Sequence, residues 1–248
     1  TCMDATGRNV TTDDDELISE QVAYYRARAP EYDDWFLRRG RYDQGPDHSK
    51  RWVAEIDMLL AELDRVEWGE SVLEFAPGTG WWTAELAKRV ESVMAVDSAP
   101  EVLTLNQDRV GSRNVEYVQA DMFDWGPGRR YDAVFFSFWL SHVPPSRFEE
   151  FWSLVGRCVR PGGTVFFIDT QRHAEYQWSD GKRAGNAPGS RDHRVTRELS
   201  DGRRFDIVKV FYHPRELLAR LEELGWEGEV SETPEFFLWG KVHHSRTS

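Results

Sequence analysis

The residues with the greatest chemical content form one run, Val72-Leu73-Glu74-Phe75-Ala76-Pro77-Gly78-Thr79-Gly80-Trp81-Trp82-Thr83. A short apolar stretch enters a turn with two glycines and leaves it into a helical pattern. Glycine has no side chain, so a ligand can lie against the backbone of such a turn. Asp97 stands at the end of the next apolar stretch. A carboxylate there can accept hydrogen bonds from both hydroxyls of a ribose. A Gly-x-Gly turn is common, and Asp97 taken alone reads equally as a helix N-cap. The order strand, glycine turn, helix, strand, acid is what points to an adenosine-bearing ligand. A second group, Ser137-Phe138-Trp139-Leu140-Ser141-His142, follows the fourth apolar stretch. An imidazole, with an unperturbed pKa of about 6.5, is a natural base for taking a proton from an attacking hydroxyl, which makes His142 the candidate catalytic group. The plain alternative is a loop histidine bonded to backbone ahead of Pro144-Pro145. His173, His193 and His213 read as surface residues, and no His, Asp or Glu grouping has metal-ligand spacing, so no metal is expected.

These groups need a scaffold that brings strand ends together. Strands are expected at 71–75, 93–96, 115–119, 131–136 and 164–168, with helices at 82–89, 100–110 and 147–159 between them. Repeated strand–helix–strand units imply a parallel sheet with helices on both faces, and ligands of such sheets bind beyond the carboxyl ends of the strands. The chain divides into an acidic, disordered tail (1–15), an N-terminal helical cap (16–66), a main domain (67–242) and a short tail (243–248). In the cap, helices are expected at 16–28, 31–38 and 50–65. The main domain carries an insertion at 171–212. Its first part, 171–193, is a long polar loop of the kind that serves as a lid. Its second part pairs 196–199 with 205–211 as a hairpin. A helix at 214–224 and one or two antiparallel strands within 229–242 follow.

Composition excludes several classes. The 248 residues hold 43 Asp plus Glu against 31 Lys plus Arg, a net charge of −12. Phosphate backbones and anionic membranes need a basic face, so neither nucleic acid nor membrane is an expected partner. No apolar run approaches the ~20 residues of a membrane span. Cys2 and Cys158 are the only cysteines and make no disulfide framework. The polar, acidic start carries no leader pattern, which reads as cytoplasmic. A homodimer is the default expectation for assembly. Of the 11 tryptophans, Trp52 and Trp152 read as core, and Trp35, Trp139 and Trp178 lie near loops. A nicotinamide dinucleotide would want a third glycine where Thr83 stands, and the Trp81 and Trp82 rings would crowd its pyrophosphate. Those rings suit instead the phosphate-free, zwitterionic tail of S-adenosylmethionine.

The run 72–83 resembles motif I of the class I S-adenosylmethionine-dependent methyltransferases, with Glu74, Gly78 and Gly80 in the family positions. Asp97 matches the ribose-binding acid. Asp121-Met122-Phe123 matches the loop that flanks adenine, and Pro161-Gly162-Gly163 matches the turn before the fifth strand. The resemblance covers about 70–170. It implies an α/β, Rossmann-like sheet of seven mostly parallel strands and S-adenosylmethionine as cofactor. Ala76, Thr79, Trp82, Thr83, Ser98 and Phe138 complete the implied cofactor contacts. The segments 24–33, 139–144 and 201–211 are further similar to the phosphonate O-methyltransferases of the dehydrophos type and to related actinobacterial small-molecule O-methyltransferases. That likeness implies an aromatic N-terminal helix that closes over the cofactor, with Tyr25, Arg28 and Tyr32 near its methionine end. It puts Tyr24, Arg39, Trp139, Arg197 and Lys209 toward a small-molecule acceptor. Arg39 and Phe138 depart from that pattern, and 40–50 and 171–193 are longer, which suggests a larger acceptor. The expected activity is O-methylation of a hydroxyl on a small polar metabolite, a sugar such as a mannoside, with His142 as base. Methylation of a phosphonate or carboxylate oxygen is the alternative. A nicotinamide-dependent oxidoreductase and a module that holds the cofactor without reacting it are the other classes.

Overall fold

The computed structural model describes residues 10–171 and 193–244. Five strands run parallel: β1 (Ser71–Phe75), β2 (Ser92–Asp97), β3 (Val115–Gln119), β4 (Tyr131–Ser137) and β5 (Val159–Thr170). The hairpin strands β6 (Arg194–Glu198) and β7 (Arg204–Val208) form a separate two-stranded sheet. The last strands, β8 (Trp226–Glu232) and β9 (Phe237–His244), complete the main sheet in the order β3-β2-β1-β4-β5-β9-β8, with β9 antiparallel to both neighbours. Seven strands in the main sheet among the described residues, one of them reversed, are the expected architecture.

Burial explains the composition of the central strands. All five residues of β1 are buried, which favours apolar side chains on both faces and leaves Glu74 as the buried acid of the strand. The two faces carry separate cores, because successive side chains alternate across a strand. Phe135 stacks on Phe166 on one face, and Phe136 stacks on Phe167 on the other, across the paired β4 and β5. Helices α5 (Pro100–Val110) and α6 (Phe148–Cys158) cover the sheet together with α4 (Trp81–Ala87) and α7 (Pro214–Glu223). The chain leaves β1 toward β2 and β3 and returns to β4 on the other side. A crevice therefore opens at the carboxyl ends of β1 and β4.

The cap consists of α1 (Val10–Arg28), α2 (Tyr32–Phe36) and α3 (Pro46–Leu63). α1 lies on the β6–β7 hairpin through Tyr24, Val195, Leu199 and Ile207. Its Glu20 and Gln21 carboxylate and amide oxygens accept from the Asp206 and Val208 amides at 2.7 and 3.0 Å. Several boundaries differ from expectation. α1 begins at Val10, so the acidic run 12–15 is helical; Asp14 accepts from the Ser146 hydroxyl and faces His193. Residues 1–9 lie outside the described residues. α3 begins at Pro46, where a proline fits the first helical turn. β9 continues through His244, so 243–244 belong to the sheet, and 245–248 lie outside the described residues. The expected lid, apart from Gln171 and His193, also lies outside them, with His173 and Trp178. Among the described residues no helix is long and apolar enough to cross a membrane.

Gly162 and Gly163 let β5 turn sharply beneath β4. Gly162 has φ +78, and a Cβ on Gly163 would stand 2.4 Å from the Asp132 carbonyl oxygen. Asp132 cannot yield, because its carboxylate accepts from the Ser71 amide at 2.9 Å and ties β4 to β1. Gly163→Ala is expected to cost about 1–3 kcal/mol, read as a lower urea midpoint with unchanged slope. An unchanged midpoint would show that the turn can relax.

Candidate functional site

One cavity fills the crevice. Its floor comes from the strand ends: Ala76 and Gly78 after β1, Asp97 and Ser98 at β2, and Ser137, Phe138 and Trp139 after β4. Asp121, Met122 and Phe123 close one side. α1 and the residue after its following turn form the roof through Ile18, Gln21, Val22, Tyr25 and Tyr32. The roof residues of α1 recur at three- and four-residue spacing, one face of a helix. Ala76 and Phe138 have φ +48 and +52, a conformation non-glycine residues rarely adopt. Both strained residues line the cavity, as strain held at working sites does.

Asp97 points its carboxylate into a buried place. Its Oδ1 accepts from the Ala99 amide at 2.9 Å, and no basic side chain among the described residues is placed to balance it. Burial raises it to about 6, against the backbone amides of Ala99, Gly78 and Ser98. Remaining lone pairs can accept from a diol, and such donors would favour the charged form. The cavity therefore suits an adenosine: an acid for the sugar, and Met122, Phe123 and Val102 for an apolar ring.

Beneath the loop, Glu74 is fully buried, and neither carboxylate oxygen has a hydrogen-bond partner among the described residues. Burial raises it to about 8, opposed by the nearby Thr83 hydroxyl and reinforced by Asp97. Thr79, Gly80 and Thr83 face α5 rather than the cavity. Trp82 is buried against Phe36 and Phe135, and Trp81 stacks on Phe36. Neither indole walls the cavity as expected, because the helix that starts after Gly80 turns both rings toward the cap core.

His142 stands behind the roof. Its Nδ1 lies 2.7 Å from the Val208 carbonyl and its Nε2 lies 2.8 Å from the Tyr25 hydroxyl. A carbonyl only accepts, so Nδ1 carries the proton and Nε2 accepts from Tyr25. His142 is buried and does not itself line the cavity; its ring is linked to it through Tyr25. Burial and then Lys209 hold its pKa well below the ordinary imidazole value, with Arg197 and Arg28 adding to them and the Val208 carbonyl opposing. The ring is neutral at pH 7.

Three cations surround this pair. Arg28 lies over the Tyr24 and Tyr32 rings at 5.6 and 5.1 Å. Lys209 donates to the Ser141 hydroxyl at 3.0 Å and stands 3.9 Å from Asp169. Burial, opposed by Asp169 and reinforced by Arg197 and Arg28, lowers Lys209 to about 8. Burial also lowers Arg197. Tyr24 packs into the hairpin core with its ring beside Arg28 and close enough to act on Arg197, so it stays on the side expected for the acceptor. One expected acceptor residue falls elsewhere. Arg39 is exposed, because Arg38 adopts φ +55 and takes the inward place between Trp35 and Trp52. Gln21 was not expected. It lines the cavity, donates to the His142 carbonyl at 3.1 Å and accepts from the Val208 amide. The helical spacing from Ile18 to Tyr25 was the signal for it.

Comparison with known proteins agrees with this geometry. Residues 72–163 match the methyltransferase domain family. The solved DhpI–SAH complex is 39% identical, covers 92% of this chain and 97% of its own, and superposes with a TM-score of 0.75. The DhpI–SAM–HEP complex gives a TM-score of 0.73 at the same identity and coverage. Phosphoethanolamine N-methyltransferase 3 of Arabidopsis thaliana is 30% identical over 145 residues, 57% of this chain and 29% of that protein. The phosphoethanolamine N-methyltransferase of Triticum aestivum is 27% identical over 179 residues, 64% of this chain and 35% of that protein. The chain thus spans about a third of the length of these curated relatives.

The buried acid under the loop makes stability depend on pH. Glu74 titrates higher folded than unfolded, so folding takes up a proton. Stability then falls as pH rises from the ordinary carboxylate range to about 8, by at most about 1.4 kcal/mol per pH unit. Asp97 adds the same sign up to about pH 6. Urea titrations of the ligand-free protein between about pH 6 and 8 are expected to show this slope, and Glu74→Gln to flatten it. An equal slope in the variant would contradict the assignment.

Proposed function

We propose an acidic-oxygen acceptor for this chain, which belongs to the class I S-adenosylmethionine-dependent methyltransferases: a phosphonate or carboxylate whose own oxygen takes the methyl group. The observation that carries this reading is the charge at the acceptor side. Lys209 is buried and Arg28 and Arg197 are half-buried, all three close enough to act on His142, with both arginines and the Asp169 carboxylate acting on Lys209. Three cations gathered at one side of the site favour an anionic ligand over a neutral one, because like charges brought together in poorly solvated surroundings are relieved by an opposite charge. The cofactor, when bound, supplies a methyl group on a cationic sulfur.

Each residue of the chain has work in this reading. Asp97 receives the ribose hydroxyls, Met122 and Phe123 flank the adenine, and Asp121 faces its amine. The glycine loop and Tyr32 border the amino-acid end. Lys209 and Arg197 draw in the acidic head of the acceptor and fix its orientation, which is the main contribution an enzyme makes to an in-line displacement. An anionic oxygen attacks without losing a proton, so no general base is required. Tyr25 and His142 then serve to hold the roof and to orient the tyrosine hydroxyl. The sequence resemblance to phosphonate O-methyltransferases and the likeness to DhpI support the same acceptor class. The hydroxyl reading, with a sugar alcohol as acceptor, has Tyr25–His142 as its supporting observation. It asks a neutral, buried ring of lowered basicity to take the proton.

The test offers phosphonates, carboxylates, sugar alcohols and phosphorylated amines with isotopically labelled cofactor and locates the methyl by mass spectrometry. Label is expected on the acidic oxygen. Lys209→Met and Arg197→Met are expected to lower kcat/KM by about 100-fold through the acceptor. His142→Gln is expected to cost less than the factor of about 100 that loss of a general base exacts. Label confined to a hydroxyl or an amine, or collapse in His142→Gln, would refute the proposal.

A separate expectation concerns pH. Lys209 loses its charge above about 8, so kcat/KM is expected to fall as pH rises through that range. It is expected to lack a rising limb that depends on His142. A rising limb on the acid side of the ordinary imidazole pKa, where burial places His142, that disappears in His142→Gln would restore the base.

A further inference from the structure

We infer that Asn106 and Arg109, one turn apart on α5, are positioning residues that splint the glycine loop from behind, with Asp33 of the cap as the third point of the clamp. Asn106 is fully buried. Its Nδ2 donates to the Gly78 carbonyl at 3.1 Å, to the Pro77 carbonyl at 3.4 Å and to the Thr83 hydroxyl at 2.8 Å. Its Oδ1 accepts from the Tyr117 hydroxyl at 2.9 Å, which fixes the orientation of the amide. Arg109 donates to the Thr79 carbonyl at 2.6 Å and to the Thr79 hydroxyl at 2.9 Å. Its guanidinium lies 4.6 Å over the Trp81 ring and pairs with Asp33. The Thr79 hydroxyl in turn donates to Asp33 at 2.6 Å.

Three successive carbonyls, of Pro77, Gly78 and Thr79, are thus held by two side chains of one helix. In a trans peptide the carbonyl and the following amide point in opposite directions. Holding the carbonyls of Pro77 and Gly78 on the α5 side therefore turns the amides of Gly78 and Thr79 away from it. The Gly78 amide faces the Asp97 carboxylate and lowers its pKa against burial. The splint thereby sets both the loop and the acid beside it. The fit is close: a Cβ on Gly80 would stand 2.8 Å from the Asn106 amide carbon and oxygen. None of the three residues lines the cavity, so their influence on a ligand passes through the loop.

This inference rests on membership in the cofactor family and is independent of the acceptor class. The experiment is calorimetry with S-adenosylhomocysteine on the full chain, beside amide hydrogen exchange of 78–80 in the ligand-free protein. Wild-type binding tests the cofactor reading by itself; absence of heat there would remove both claims. Given wild-type binding, Arg109→Met and Asn106→Ala are expected to weaken affinity by about 10-fold or more. The loop amides are expected to exchange faster, and KM for the cofactor to rise more than KM for the acceptor. Arg109→Lys is expected to recover part of the affinity, and Asp33→Asn to lose less than Arg109→Met. Arg109 is partly exposed, so its variants keep the test open if Asn106→Ala does not fold. Affinity within about 2-fold of wild type in folded Arg109→Met, or unchanged amide exchange, would overturn the splint.

Discussion

The structure depends on holding one short piece of backbone in an unfavourable shape at the mouth of β1. Ala76, Gly78 and Gly80 all have positive φ, at +48, +58 and +95. Glycine accepts this at little cost, whereas alanine loses roughly 1–2 kcal/mol there. The surroundings must therefore over-determine the loop. They do so from three directions. The Ala76 amide donates to the Val96 carbonyl at 2.9 Å and anchors the loop to β2. α5 grips the carbonyls from behind. Tyr32 lies over Gly78, where an added Cβ would come within 3.6 Å of its hydroxyl. Strand order places the crevice, and these contacts give the crevice a defined floor.

Charge is distributed against the trend of the chain. The molecule is acidic, with a net charge of −12, yet one buried and two half-buried cations, Lys209, Arg28 and Arg197, gather beside the roof. An acidic surface gives no general attraction for anions, so selectivity for one must arise locally. The geometry supplies that: Asp169 accepts the Ser141 amide at 2.8 Å and the Thr170 amide at 2.7 Å, which divides its charge between Lys209 and the backbone. Lys209 is desolvated there, so its interactions with charged groups are stronger than they would be in water.

Much of this was legible in the sequence, for physical reasons that differ by element. Strands buried on both faces read clearly because nearly every position is apolar, as in β4, while proline at the start and glycine after the end bounded the helix 100–110. The position of Asp97 at the end of β2 was legible because the strand, glycine turn, helix and second strand before it set its place. The roles of Trp81 and Trp82 were not, because a helix start fixes side-chain direction through its phase, and phase depends on where Gly80 ends the turn. Arg39 failed for a similar reason, since a single left-handed residue at Arg38 exchanges the inward and outward places. Asn106 and Arg109 gave no local signal at all. Their partners lie far away in the chain, and a polar residue on a half-buried helix looks like solvent-facing polarity until the contact is seen. The helical reading of α1 stopped short at 16 because an acidic run resembles a tail; Ser146, His193 and Arg147 supply its partners only in three dimensions.

α1 joins the two halves of the site. One of its faces, through Ile18, Val22 and Tyr25, roofs the cofactor cavity, while Glu20, Gln21 and Tyr24 bind the hairpin that carries Arg197 and leads to Lys209. Gln21 belongs to both, since it lines the cavity and bridges His142 to Val208. A helix is stiff over so short a span, so a displacement of the roof must shift the hairpin as well. The cofactor and acceptor sides are therefore not independent pockets. Any motion that opens the roof also disturbs the cations assigned to the acceptor, and the arrangement that collects those cations needs α1 in its closed place. The Asp33–Arg109 pair fastens the same cap to the glycine loop, so the loop, the roof and the hairpin form one mechanical circuit with His142 and Tyr25 at its centre.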